Sequence, residues 1–212
     1  LTGGLHGRTK LGMSVTGIGM WRTDPNPVGG IHFVKNPYCY RCPHQHTPEE
    51  CGIDCTYELE ETIKSATSGR PAAFIAETIQ GNAGIIVPPK NYFKRVKEIL
   101  DHYGVLFIAD EVQTGFARTG KMFAIEHFGI APDIMTMAKA LGNGAPISAF
   151  IATPEVADTY TKPGASTLGG NPVSSTAGLG VIRYIESHDL MGNAERRGAQ
   201  LRAGLQEIAA RH

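Results

Sequence analysis

This 212-residue chain has no excess of either charge: twenty lysines and arginines stand against twenty aspartates and glutamates. That balance removes the global basic footprint by which a protein binds nucleic acid or an anionic membrane. Aromatic residues are scarce at 8%, and charged residues make up 19%, a globular composition that is neither disordered nor collagen-like. No apolar run approaches the roughly 20 residues that span a bilayer. Nor does a basic stretch followed by an apolar one open the chain, so no secretory signal is visible and a cytoplasmic location is the default. An initiator methionine is also missing, because the chain starts at Leu1, as a piece of something longer would. Glycine and proline, by contrast, are abundant: 26 and 13 residues, about 18% together against the roughly 12% expected. Such a surplus points to tight backbone sites.

Residues 1–55 are rich in Gly, Pro, His and Cys with little periodicity and read as loop-dominated, with turns at Asp24-Pro25-Asn26-Pro27 and Gly29-Gly30. Regularity begins at Thr56, which is placed to cap a helix carrying Glu58, Glu60 and Glu61 early, an apolar stripe of Leu59, Ile63 and Ala66, and a stop at Gly69. Short apolar runs then alternate with amphipathic ones. Ala72–Ala76, Val105–Ala109 and Asp133–Ala138 read as buried strands, Ile147–Ala152 as a fourth, and Asn91–Tyr103 as a helix with Tyr92, Val96, Ile99, Leu100 and Tyr103 inward. Val173, Ala177, Val181 and Ile185 recur every four residues, and Leu201, Leu205 and Ile208 mark a terminal helix with Arg196, Arg197 and Arg202 outside. The alternation predicts an α/β fold with a mostly parallel sheet covered on both faces.

Each buried strand runs into a polar residue: Glu77, Asp110-Glu111, and Lys139 after Ala138. Open parallel sheets bind ligands at the carboxyl ends of their strands, so these side chains are candidates for one pocket. A carboxylate at the end of such an apolar run needs a cation or several donors, and Lys139 is available as that cation for Asp110. On these facts alone a structural Asp110–Lys139 ion pair and a catalytic pair are both open.

The surrounding residues narrow the choice. Asp110-Glu111-Val112-Gln113-Thr114-Gly115-Phe116-Ala117-Arg118-Thr119-Gly120, Pro132-Asp133-Ile134, Ala138-Lys139-Ala140-Leu141-Gly142-Asn143-Gly144 and Pro146-Ile147 closely resemble the signature of class III aminotransferases, which depend on pyridoxal 5′-phosphate (PLP). The likeness extends to His6-Gly7-Arg8-Thr9, Glu77-Thr78-Ile79-Gln80-Gly81, Gly84-Ile85-Ile86-Val87-Pro88-Pro89 and Thr167-Leu168-Gly169-Gly170-Asn171-Pro172. It is nearest to the alanine–glyoxylate, β-alanine–pyruvate and 4-aminobutyrate groups.

This resemblance implies the fold type I of PLP-dependent aminotransferases. Residues 1–190 would form a large cofactor-binding domain incomplete at its N-terminus, and 191–212 the start of a small domain. It implies transamination from an amino acid or ω-amine to a 2-oxo acid, with Lys139 as the Schiff-base lysine and proton shuttle. Asp110 would bind the pyridine N–H, which makes the ring an electron sink, and Gln113 the phenolic oxygen. Thr167 would reach the PLP phosphate of the neighbouring subunit in a homodimer. Glu77 matches the glutamate that pairs with a small-domain arginine in many members, although Thr78 stands where proline is usual. His6 counts among the cofactor-contacting residues. Before it, Leu5 replaces the aromatic residue usually stacked on the ring, and leucine covers a ring face by dispersion alone. Related active sites decarboxylate, racemise or move an amino group within one molecule, so the reaction type stays open. As part of a family member this chain is expected to retain PLP weakly by itself, since electrostatic catalysis needs a closed pocket.

Four cysteines fall outside this pattern: Cys39 and Cys42, then Cys51 and Cys55, with His44 and His46 between them. Ligand softness suits zinc, but the gap between the pairs is shorter than in finger or ribbon patterns. Structural metal, disulfide or redox pairing and reduced loop thiols are all open, as is a non-catalytic metal-binding or interaction module built on Cys39–Cys55, and no residue is assigned as a metal ligand. Tyr38, Tyr40 and Arg41 in the same loop are candidates for substrate contact.

Overall fold

The computed structural model describes residues 1–47 and 50–212. Four strands form one sheet in the order β1-β2-β3-β4: β1 Ala73–Glu77, β2 Leu106–Asp110, β3 Ile134–Met137 and β4 Ala149–Ala152. β1, β2 and β3 run parallel, and β4 returns antiparallel at the edge. The helices are α1 Lys10–Val15, α2 Cys55–Ala66, α3 Tyr92–Tyr103, α4 Pro154–Ala157, α5 Pro172–Ser187 and α6 Leu190–Ala209.

The first three strands form where the apolar runs predict: β1 and β2 are shifted by one residue because the ladder extends to Glu77 and Asp110, whereas β3 is shorter than expected and ends at Met137. Alternate residues face opposite sides of a strand, and one side of β2 is closed, with Phe107 and Ala109 fully buried, whereas Leu106 and Ile108 on the other are half-buried. α3 supplies one cover, with Phe93 stacked on Phe107 at 5.5 Å between ring centres and edge-on to Phe128 at 5.0 Å. Burying a phenylalanine of this kind contributes roughly 1.5–3 kcal/mol. Gly104 ends α3 in the left-handed region at φ 66°, which lets Val105 N–H reach back to Leu100 O at 2.9 Å and turn the chain into β2. Asp133 then locks β3 to β2, since its Oδ2 accepts from Phe107 N–H at 2.7 Å while its own N–H donates to Phe107 O.

Several expectations need correction. α1 lies inside the segment read as loop and is capped by Thr9, whose Oγ1 accepts from Gly12 N–H. Thr56 does not cap α2: it sits inside the first turn and donates its hydroxyl to Ile53 O, while Asp54 precedes the helix. On α5 the inward residues are Ser174, Gly178 and Ile185, and Val173 is 79% exposed, because the helix packs closely on Leu141 and Ile147 through the small Gly178. Leu201, Leu205 and Ile208 of α6 form the expected stripe but lie exposed, as does most of β4, so cover on both faces does not extend to this edge. Among the described residues no helix is long and apolar enough to cross a membrane.

Candidate functional site

Parallel pairing puts Glu77 and Asp110 side by side, as Cα partners at the carboxyl ends of β1 and β2. Two buried carboxylates so close need separate compensation, and each has it. Glu77 accepts from two backbone amides, Leu5 N–H at 2.8 Å on one oxygen and Gly81 N–H at 2.9 Å on the other. Backbone, rather than an arginine, holds it among the described residues. Asp110 takes His6 Nδ1–H at 2.8 Å on Oδ2 and Val112 N–H at 3.0 Å on Oδ1. The His6 and Asp110 side chains are only 1% and 6% exposed, and the His6 ring fits there because Gly4 has no Cβ to collide with its Nε2.

Lys139 is therefore not the partner of Asp110. It stands two residues beyond β3, in a tight turn over Lys139–Leu141, and its Nζ donates to Gln113 Oε1 at 2.7 Å. Its backbone is left-handed at φ 46°, a conformation that costs a non-glycine residue about 1–2 kcal/mol. The turn closes only because Gly142 lacks a Cβ, which would overlap Ala145 O. Strain of this sort persists where the surroundings over-determine it, and it clusters at functional sites. Gln113 in turn lies flat on Gly81, where any Cβ would overlap its amide. Lys139 and Gln113 share the wall of a cavity of about 540 Å³ with Ile79, Ile85, Arg118 and Thr119.

The turn between β2 and this wall is anchored by Glu111, which the sequence marks beside Asp110 as a pocket candidate but which does not line the cavity. Fully buried, its carboxylate accepts from Thr78 Oγ1–H at 2.8 Å and Ile125 N–H at 2.7 Å on one oxygen. The other oxygen takes Ala124 N–H at 3.1 Å and the Thr114 hydroxyl. Four donors replace water around a charge that has no cation beside it. Between the anchored ends, Phe116 and Ala117 both adopt left-handed backbone, φ 59° and 71°.

Thr167 is not brought to this cavity within its own chain; it is exposed in the turn before α5. Tyr38, Tyr40 and Arg41 do not line the cavity either. All four cysteines are free thiols. Burial, and then the nearby Cys51 and Cys39 thiols, push Cys55 up to about 12. Among the described residues no group of three or more His, Cys, Asp or Glu side chains is gathered to hold a metal ion.

The donor set suits PLP. A fixed carboxylate can accept the pyridine N–H, since each Asp110 oxygen retains a lone pair; a primary amine can meet the aldehyde; and a primary amide can meet the phenolic oxygen. Comparisons with known proteins point to the same cofactor. The chain is 47% identical over 221 residues to the ornithine aminotransferase of Oceanobacillus iheyensis, covering 99% of this chain and 50% of that protein. It is 46% identical over 201 residues to a leucine/methionine racemase of Thermococcus litoralis, covering 92% and 44%. An amine transaminase from an uncultivated Pseudomonas species, solved in its PLP-bound form, superposes with a TM-score of 0.92 at 36% identity, over all of this chain and 50% of that one. The chain thus spans about half the length of the relatives it matches. The profile described as Aminotransferase class-III matches residues 1–212, so the chain belongs to the class III aminotransferases, whose cofactor is PLP.

Proposed function

We propose that the protein of which this chain is part transfers an amino group from an amino acid or ω-amine to a 2-oxo acid, with Lys139 as its central residue. The observation that carries this reading is the pairing of a strained, cavity-lining Lys139 on Gln113 with a buried Asp110 held by His6. When bound, PLP supplies an aldehyde that condenses with amines and a pyridinium ring that withdraws electrons from the substrate Cα. Asp110 holds the ring nitrogen proton. His6 acts through Asp110 as a positioning residue, fixing the plane of the carboxylate with one N–H. Gln113 orients Lys139 Nζ and offers its amide N–H to the phenolic oxygen. Nζ takes the proton from the substrate Cα and returns it, while the apolar Ile79 and Ile85 limit access of water from their side. Thr167, exposed and away from its own chain's cavity, is assigned to the PLP phosphate in the neighbouring subunit of a cytoplasmic homodimer. Residues 191–212 are assigned to the start of a small domain.

A second reading, racemisation, is favoured by the likeness to the Thermococcus litoralis racemase. In both readings Nζ removes the Cα proton; the site to which it returns that proton separates them. Incubation of the PLP-loaded protein with a nitrogen-15 amino donor and a 2-oxo acid tests the choice. Label in the new amino acid, lost in Lys139→Ala, is expected. Exchange of the Cα hydrogen with solvent and racemisation, without nitrogen transfer, would establish the second reading in its place.

A further inference from the structure

The Lys139 cavity contains a second cation that the proposed reaction does not use. Arg118 lines it and is exposed, and among the described residues no carboxylate lies within ion-pair distance of it. The neighbouring carboxylates are committed elsewhere: Glu77 to backbone amides, Asp110 to His6 and Val112, and Glu111 to its four donors. Among the described residues, Lys139 and Arg118 are the only ionisable side chains in that wall. The cavity of a chain with zero net charge is therefore locally cationic.

The backbone before Arg118 is built for this placement. Phe116 and Ala117 are two consecutive left-handed residues, neither of them glycine, and both are buried. They reverse the chain between Gly115, whose N–H donates to Glu111 O at 2.9 Å, and Gly120, whose N–H donates to Ala117 O at 3.2 Å. A buried hydrophobic turn held in strain, ending in an unpaired guanidinium at a cavity wall, matches the pattern of strain retained for ligand contact. Once the cofactor occupies Lys139, Arg118 is the cation left in the wall. Its planar fork of donors matches a carboxylate in two parallel hydrogen bonds.

We propose that Arg118 is a specificity-determining residue that receives a carboxylate of the amino donor or 2-oxo acid acceptor. The inference deepens the transamination reading and rests on it for the identity of the occupant, but it can fail independently. Glutarate serves as the probe and glutaramide as its uncharged counterpart, with heats of binding measured on the PLP-loaded protein. Glutarate is expected to bind more weakly as salt rises, and Arg118→Gln to weaken it by about tenfold or more, the scale of one lost charge-assisted pair. Arg118→Lys should retain part of the affinity, and glutaramide should bind wild type and Arg118→Gln alike. A second measurement needs no variant: glutarate, and not glutaramide, should slow modification of Arg118 by phenylglyoxal, located by peptide mapping. Unchanged glutarate affinity in Arg118→Gln, absence of glutarate binding to wild type, or modification of Arg118 indifferent to glutarate would each overturn the proposal. So would glutarate binding lost in Lys139→Ala but kept in Arg118→Gln. Cofactor attachment is read separately by reductive labelling at Lys139. Label at Lys139 without glutarate protection of Arg118 therefore refutes this inference alone, and protection without label refutes the transamination reading.

Discussion

Glu111→Gln tests whether a buried, cation-free carboxylate organises the turn that carries Gln113 and Arg118. In the native arrangement each Glu111 oxygen accepts one backbone N–H and one hydroxyl. Glutamine keeps one oxygen and turns an NH₂ toward the other pair. Whichever way the amide lies, the hydroxyl of Thr78 or Thr114 can rotate to accept, but one backbone N–H, of Ala124 or Ile125, is left facing a donor. A buried N–H without an acceptor costs about 1–3 kcal/mol, and the two bonds that survive change from charge-assisted to neutral, losing about 1 kcal/mol each. Glutamine also removes the cost of burying a charge, which offsets part of this. The expected net loss is about 2–4 kcal/mol, a large share of a typical stability of about 5–15 kcal/mol. Urea unfolding should show a lower midpoint with an unchanged slope, and hydrogen exchange should quicken at Ala124 and Ile125. A loss below about 0.5 kcal/mol, the range of an ordinary surface substitution, would refute the reasoning.

Gly81→Ala should drive the Gln113 amide off its seat and out of contact with Lys139. PLP affinity, followed by absorbance titration, is expected to fall about five- to tenfold, the value of one hydrogen bond; unchanged affinity would contradict the packing. Ala117→Gly relieves left-handed strain at φ 71° and should raise stability by up to about 1 kcal/mol, read as a higher urea midpoint. Cys55 gives a pH test. Its thiol ionises near 9.0 when unfolded and is pushed up to about 12 when folded, first by burial and then by neighbouring thiols. The folded state thus holds the proton more tightly, so this contribution is complete below about pH 9 and is lost as pH rises toward 12. Between pH 8 and 10.5 wild type should lose more stability than Cys55→Ala; equal losses would count against the burial of this thiol.

Why some of the site was legible in the sequence and some was not follows from which interactions are local. The apolar runs AFIA and LFIA fix strands, and a strand that ends in a charge announces a sheet edge, so Glu77, Asp110 and Lys139 stood out. Gln113 follows Asp110 closely enough to travel with it. The Asp110–His6 contact joins residues 104 positions apart, and nothing near either one signals it; the available cation, Lys139, was the natural but wrong partner. Asp110 and Glu111 look interchangeable in sequence, yet successive residues point to opposite faces, so one carboxylate reaches His6 and the other anchors the turn beneath. α1 was invisible because KLGMSV is short and contains glycine and β-branched valine, both weak helix formers; the Thr9 cap and tertiary contacts hold it. The stripe of Leu201, Leu205 and Ile208 on α6 is legible in the sequence, but periodicity reports amphipathicity and not what covers the apolar face.

Reduction of the PLP-loaded protein with borohydride, followed by digestion and peptide mapping, tests the central assignment most directly. The expected result is a single stable pyridoxyl adduct on Lys139, absent from Lys139→Ala, with weaker retention in Gly81→Ala. An adduct on another lysine, or none, would contradict the assignment of this cavity as the cofactor site.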